Sequence, residues 1–168
     1  KIGAGDAPHK IINVQADGSL GEKHTDEISF LPYVHNVDSF GYLENALPAD
    51  MNSADESWGW LLDSRFSGKV GIVNDPTIGL FDLALAAKAK GFMEFEDIGA
   101  MTRAELDSLF LLLIELKQLQ HFNGFWTSVP ESVQYMRTKR VTIESMFSPA
   151  VSDLNGQDIP VRFASPRE

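Results

Sequence analysis

The stretch Phe66-Ser67-Gly68-Lys69-Val70-Gly71-Ile72-Val73-Asn74-Asp75-Pro76 leaves few options for the chain around it. A Gly-Lys turn leads into a compact apolar run that stops at Asn-Asp-Pro, the pattern of a buried strand feeding directly into a helix. Proline suits the first helical turn, where its missing N–H costs nothing, and Asn74 or Asp75 stands ready to cap it. Just before, Ser57-Trp58-Gly59-Trp60-Leu61-Leu62-Asp63 reads as a short aromatic helix whose tryptophans serve packing.

The remaining elements alternate in the same way. Leu80–Lys90 is rich in alanine and leucine, and Gly91 ends it. Thr102 with Glu105 forms a capping box for a second helix running to about His121. Its Leu106, Leu109, Phe110, Leu113, Ile114, Leu116 and Leu119 cover a wide face, which predicts deep burial. A third helix is expected from Pro130 to about Arg140, and a fourth from Ser148-Pro149 to Gly156. Strands are expected at Ile28–Val34, Ser39–Leu43, Val141–Phe147 and Ile159–Ala164, while Phe122–Ser128 reads as a loop. This order predicts an α/β fold with a mixed central sheet flanked by helices on both faces. Residues 1–28 read as an irregular arm with an apolar stretch at Lys10–Val14 and a turn at Asp17-Gly18; residues 29–168 form the domain.

Composition narrows the functions. A chain of 168 residues suits one compact domain. Its net charge of −10 argues against sequence-independent nucleic-acid binding. With no cysteine, thiolate metal sites and cysteine nucleophiles are excluded. The four histidines are scattered, no Gly-x-Ser-x-Gly elbow occurs, and Glu94, Glu96 and Asp97 lie in a solvated connection. Neither a metal nor a cofactor is called for.

Four blocks across residues 32–168 carry a resemblance. They are Pro32–Tyr42, Ser57–Pro76, Val141–Ser148 and Ile159–Glu168. In order and spacing they resemble the second lobe of type II periplasmic solute-binding proteins of ABC importers, in particular the spermidine/putrescine-binding branch. The resemblance implies a periplasmic protein that is secreted with a signal peptide, binds a small solute and does no chemistry on it. Its partners would be an ABC permease in the membrane and a first lobe built from sequence outside this chain. The Pro32–Tyr42 and Ile159–Glu168 blocks would be the hinge crossovers, so Ile28–Val34 and Ile159–Ala164 are expected side by side. Lys1 is then expected to mark a processed or truncated start, and the isolated lobe to self-associate through the surface it turns to its missing half.

The ligand contacts implied by the resemblance are Asp38, Ser39 and His35 on the first crossover and Asp75, Phe147 and Ser148 at strand ends. Phe125 and Trp126 join them as a stacking wall. Each has a plainer role open to it: Asp75 as a helix cap, His35 as a hydrogen-bonding residue of the hinge. Ile78 and Ala150 stand where polyamine binders carry acids, so a small cationic, polyamine-like solute with fewer ammonium groups is expected. A hydrolase of unknown substrate and a protein–protein interaction module that uses the Leu106–Leu119 face are the other two classes.

Overall fold

In the computed structural model, residues 13–21, 23 and 38–167 are described. The chain divides into two compact units, 1–37 and 38–168. In the first, β1 (Asn13–Val14) pairs antiparallel with β2 (Leu20–Gly21) around the expected Asp17-Gly18 turn. The Ile28–Val34 strand and His35 lie outside the described residues.

The second unit is built on a five-stranded sheet. Its strands are β3 (Ser39–Leu43), β4 (Val70–Val73), β5 (Phe122–Trp126), β6 (Ile143–Met146) and β7 (Val161–Phe163), in the order β5-β4-β6-β3-β7. β4 runs parallel to both β5 and β6, whereas β3 runs antiparallel to β6 and β7. Mixed pairing and helices on both faces match the fold class expected from the sequence.

Side chains alternate across the pleat, so each strand feeds two cores. Phe40, Tyr42, Val70, Ile72 and Ile143 face one layer, made by α1 (Gly79–Ala89), α2 (Arg103–Gln118) and the 3-10 segment Trp58–Leu62. Leu43, Val73, Trp126, Met146 and Val161 face the other, made by α3 (Val129–Arg137) and α4 (Ser148–Gly156). Trp58 and Trp60 are packing residues. They meet Phe40 and Tyr42 edge to face, with ring centroids 5.6 and 5.4 Å apart. Each such pair adds about 0.5–1.5 kcal/mol beyond the area it buries.

Three expectations are corrected. The helix expected from Pro76 begins at Gly79, because the Asp75 carbonyl first accepts the N–H groups of Ile78 and Gly79 in a turn. Phe122–Trp126 is the edge strand β5. Asn123 suggests a turn, yet its amide donates to the carbonyls of Gly68 and Arg140 and so fastens the strand. The deep burial expected for α2 fails. Of the residues expected inside, only Leu109 is fully buried, while Phe110, Ile114 and Leu119 are 48–66% exposed. Its apolar residues run around most of the helix, but the sheet covers one side.

Glu144 is an acid buried within the sheet. It is wholly buried in β6; one carboxyl oxygen accepts from Ser132 Oγ at 2.5 Å and the other has no partner. Gly71 makes room for it, since a Cβ there would sit 2.7 Å from Oε2. Burial pushes its pKa up to about 8, so the fold holds it protonated at neutral pH. A raised folded pKa means that its contribution is complete below the unfolded value and is lost as pH rises towards 8. The slope is about 1.4 kcal/mol per pH unit over that window. Urea unfolding from pH 5 to 8 is therefore expected to show falling stability, and Glu144→Gln a shallower slope. An unchanged slope in the variant contradicts the assignment.

Candidate functional site

The strand directions collect the chain's reversals at one edge of the sheet. β4, β5 and β6 are parallel, so Asn74-Asp75, Thr127-Ser128 and Phe147-Ser148 leave the sheet on the same side. β3 is antiparallel to β6, with Ser39 opposite Met146, so Asp38 enters there too. β7 ends at the same edge, since Phe163 stands opposite Gly41. In open α/β sheets the carboxyl ends of parallel strands form the usual ligand crevice.

The described candidates all lie at or just behind this edge, in different roles. Asp38 is exposed at the mouth of β3. Ser39 is buried, and its hydroxyl donates to the Ala164 carbonyl at 2.8 Å, so it ties the start of β3 to the residue after β7. Asp75 is partly exposed. Its carboxylate accepts from the Thr77 N–H at 2.7 Å and the Thr77 hydroxyl at 2.6 Å, bonds that hold its pKa below the ordinary aspartate value. It is ionised and caps a turn of its own.

Phe147 is half-buried at the N-cap of α4, and Ser148 is exposed beside it. Trp126 corrects the expectation of a stacking wall: it is 1% exposed, and its Nε1–H donates to the Ser145 carbonyl at 2.9 Å. Its ring instead supports Phe147 edge to face, with centroids 5.1 Å apart. Phe125 faces the α2 layer, where the Lys117 ammonium lies 5.7 Å from its ring centroid.

Two acids escaped sequence reasoning. Asp82, in the first turn of α1, is 3% exposed and accepts from Ser145 Oγ at 2.6 Å. Burial pushes its pKa up to about 7, and the charge of Asp38 adds to the rise. The available signal was a lone acid within the apolar Leu80–Leu85 run. Glu56 is also buried. It accepts from Tyr42 Oη, Arg162 Nε and the Ser165 N–H at 2.6–2.8 Å, which holds the end of β7 against β3.

The edge offers three kinds of contact. α1, α3 and α4 all start here without an N-cap side-chain bond. Asp82 and Glu131 stand in the first turns of α1 and α3, and Glu131 accepts from the Thr127 N–H, whereas α4 has no acid in its first turn and presents a positive partial charge. α2 differs, closed by its own Thr102/Glu105 capping box. Half-buried Ile78, Val129 and Phe147 provide an apolar floor at the three helix starts. Asp38 and Asp75 provide negative charge. Among the described residues, no cluster of His, Asp and Glu could hold a metal ion. A separate groove of about 210 Å³ lies between the ends of α1 and α2, lined by Leu62, Lys90, Phe92, Leu116, Leu119 and His121. It shares no residue with the candidate edge.

No family model matches the chain, and no curated protein does. Solved structures do. An ABC transporter substrate-binding protein from Bradyrhizobium japonicum superposes with a TM-score of 0.57 at 24% identity, covering 75% of this chain and 36% of its own. The spermidine/putrescine substrate-binding protein PotD from Streptococcus pneumoniae gives a TM-score of 0.61 at 15% identity, with coverage of 81% and 38%. The Atu4243-GABA receptor gives 0.57 at 18% identity, with 77% and 37%. These likenesses show the fold. This chain spans little more than a third of each matched protein.

The Asp38–Asp82 coupling is measurable by carboxyl NMR. Asp82 is expected to titrate near pH 7, and Asp38→Asn to move that midpoint down. A midpoint in the ordinary aspartate range, or one unmoved by the substitution, would rule out the coupling.

Proposed function

We propose that residues 38–168 are one lobe of a two-lobed solute-binding protein that delivers a small solute to an ABC importer. The observation that carries this reading is the single edge at which the ends of β4, β5, β6 and β7 and the start of β3 meet. A second lobe facing that edge would enclose a solute between them and close on it by hinge motion. The likeness to substrate-binding proteins of ABC transporters supports the same role, and with it a periplasmic location and a membrane permease as partner.

The solute we favour carries one ammonium group, a short apolar body and a carboxylate. Asp75 and Asp38 accept the ammonium, Phe147 and Ile78 pack against the body, and the uncapped N-terminus of α4, with no acid in its first turn, favours the anion. A GABA-binding neighbour fits this chemistry. The likeness to PotD favours a polyamine instead. Against that, Ile78 and Ala150 supply no charge, and Asp82 is buried with a pKa near 7, so it does not replace them. A hydrolase finds no support in the hydrogen bonds of the described residues: Ser39, Ser132 and Ser145 are bound to Ala164, Glu144 and Asp82, and His121 to the Leu61 carbonyl.

Calorimetry on the protein with both lobes tests the reading. An ω-amino acid is expected to bind more tightly than spermidine. Asp75→Ala is expected to weaken binding by about 10- to 100-fold, since a charge-assisted hydrogen bond contributes roughly 1.5–3 kcal/mol. Tight spermidine binding left unchanged by Asp75→Ala would refute both the site and the solute class.

A further inference from the structure

The outer face of α2 carries three large apolar side chains that neither core uses. Leu111 is 70% exposed, Ile114 51% and Phe110 48%, and together they form a continuous stripe at the spacing of helix neighbours. A monomeric protein rarely leaves such a stripe in water without a purpose. On the opposite side of the same helix, Leu109 alone is fully buried against the sheet, so α2 is amphipathic in the unusual sense of having two apolar sides. The stripe is independent of the cleft edge and of any solute bound there.

The distribution of charge around the stripe says what covers it. Phe110 and Ile114 stand two residues either side of Leu112, and Asp107 and Lys117 stand five residues either side. Two copies of α2 laid antiparallel across a two-fold axis at Leu112 bring Phe110 level with Ile114 of the second copy, and Asp107 level with its Lys117. The acid is 60% exposed and already paired with Arg103 one turn back, at 3.0 Å, so the second copy's lysine would join an existing ion pair. Lys117 reaches sideways over Phe125, which keeps its ammonium at the rim of the stripe. An acidic or a basic protein partner would call for a rim of one sign. The stripe is flanked by charges of both signs, exposed Arg103 and Asp107 toward the start of α2 and exposed Glu115 and Lys117 toward its end, so an antiparallel second copy sets each pair beside one it complements. Antiparallel order also sets the two helix dipoles in opposition. A two-fold pairing uses the same patch on both partners and closes on itself, so it ends at two copies.

We propose that α2 is a homodimerisation helix, pairing antiparallel with α2 of a second copy through Phe110, Leu111 and Ile114 and registered by Asp107 and Lys117.

Sedimentation velocity across the micromolar range tests this on the whole chain. A concentration-dependent monomer–dimer equilibrium is expected. Leu111→Asp and Ile114→Asp, both at exposed positions, are each expected to raise the dimer dissociation constant about tenfold or more, with the circular dichroism spectrum unchanged. Asp107→Lys and Lys117→Asp should each weaken the dimer, and the double reversal should restore it. A chain that stays monomeric throughout overturns the proposal. A dimer indifferent to Leu111→Asp and Ile114→Asp also overturns it, as does a double reversal no stronger than the single ones.

Discussion

The first turn of α1 is pressed against the end of β4, where a side chain at Gly79 would collide with the Val73 carbonyl oxygen. Much of the second unit follows from that contact. With no Cβ at Gly79, the helix can fold back at once along the strand it has just left, and Leu83, Ala84, Ala86 and Ala87 reach the core beside Ile72. The turn between strand and helix is then short and has to satisfy its own N–H groups, which is why the Asp75 carbonyl and carboxylate serve Thr77, Ile78 and Gly79. An ionised carboxylate is thereby held at the strand's carboxyl end. The other end of α1 is fixed by charge. Buried Asp63, just before β4, accepts from Lys90 at 2.7 Å and from Arg65, and these bonds hold its pKa far below the ordinary aspartate value.

The buried acids of the second unit therefore fall into two kinds. Asp63 and Glu56 are buried with cationic partners, stay charged and act as fasteners between loops and sheet. Asp82 and Glu144 are buried with a single serine each, and burial keeps their protons on to neutral pH. The second kind is costly. Its two members lie on opposite sides of β6, one toward each core. Asp82 is the one coupled to the candidate edge, through Asp38.

The frame was legible in the sequence wherever a residue type has a single physical use. Thr102 with Glu105 announced α2, and both bonds of the box are formed. The apolar run before Asn-Asp-Pro announced β4, and the strand expected at Ser39–Leu43 is β3. Reading failed where tertiary contact decides. Asn123 and Gly124 look like a turn until the carbonyls of Gly68 and Arg140 and the ring of Tyr135 are in place around them. Phe110 and Leu109 were both expected on the buried face of α2, yet Phe110 is exposed and Leu109 is buried. At the candidate edge, the resemblance singled out Asp38, Asp75, Phe147 and Ser148, and the structure places them at or beside the ends of strands. Trp126 was misjudged because an aromatic at a strand end can turn either way, and this one turns inward to the Ser145 carbonyl. Asp82 stayed hidden because an acid inside an apolar helix is significant only once its burial is known.

The central claim is that solute meets this lobe at the carboxyl edge of β4, β5 and β6. Backbone amide NMR on the 168-residue chain tests it directly, because weak, millimolar binding by a single lobe still moves amide signals. Titration with an ω-amino acid is expected to shift the amides of Asp75–Leu80, Thr127–Val129 and Phe147–Ser148 together. Shifts confined to the groove between the ends of α1 and α2, around Lys90, Phe92 and His121, would contradict it.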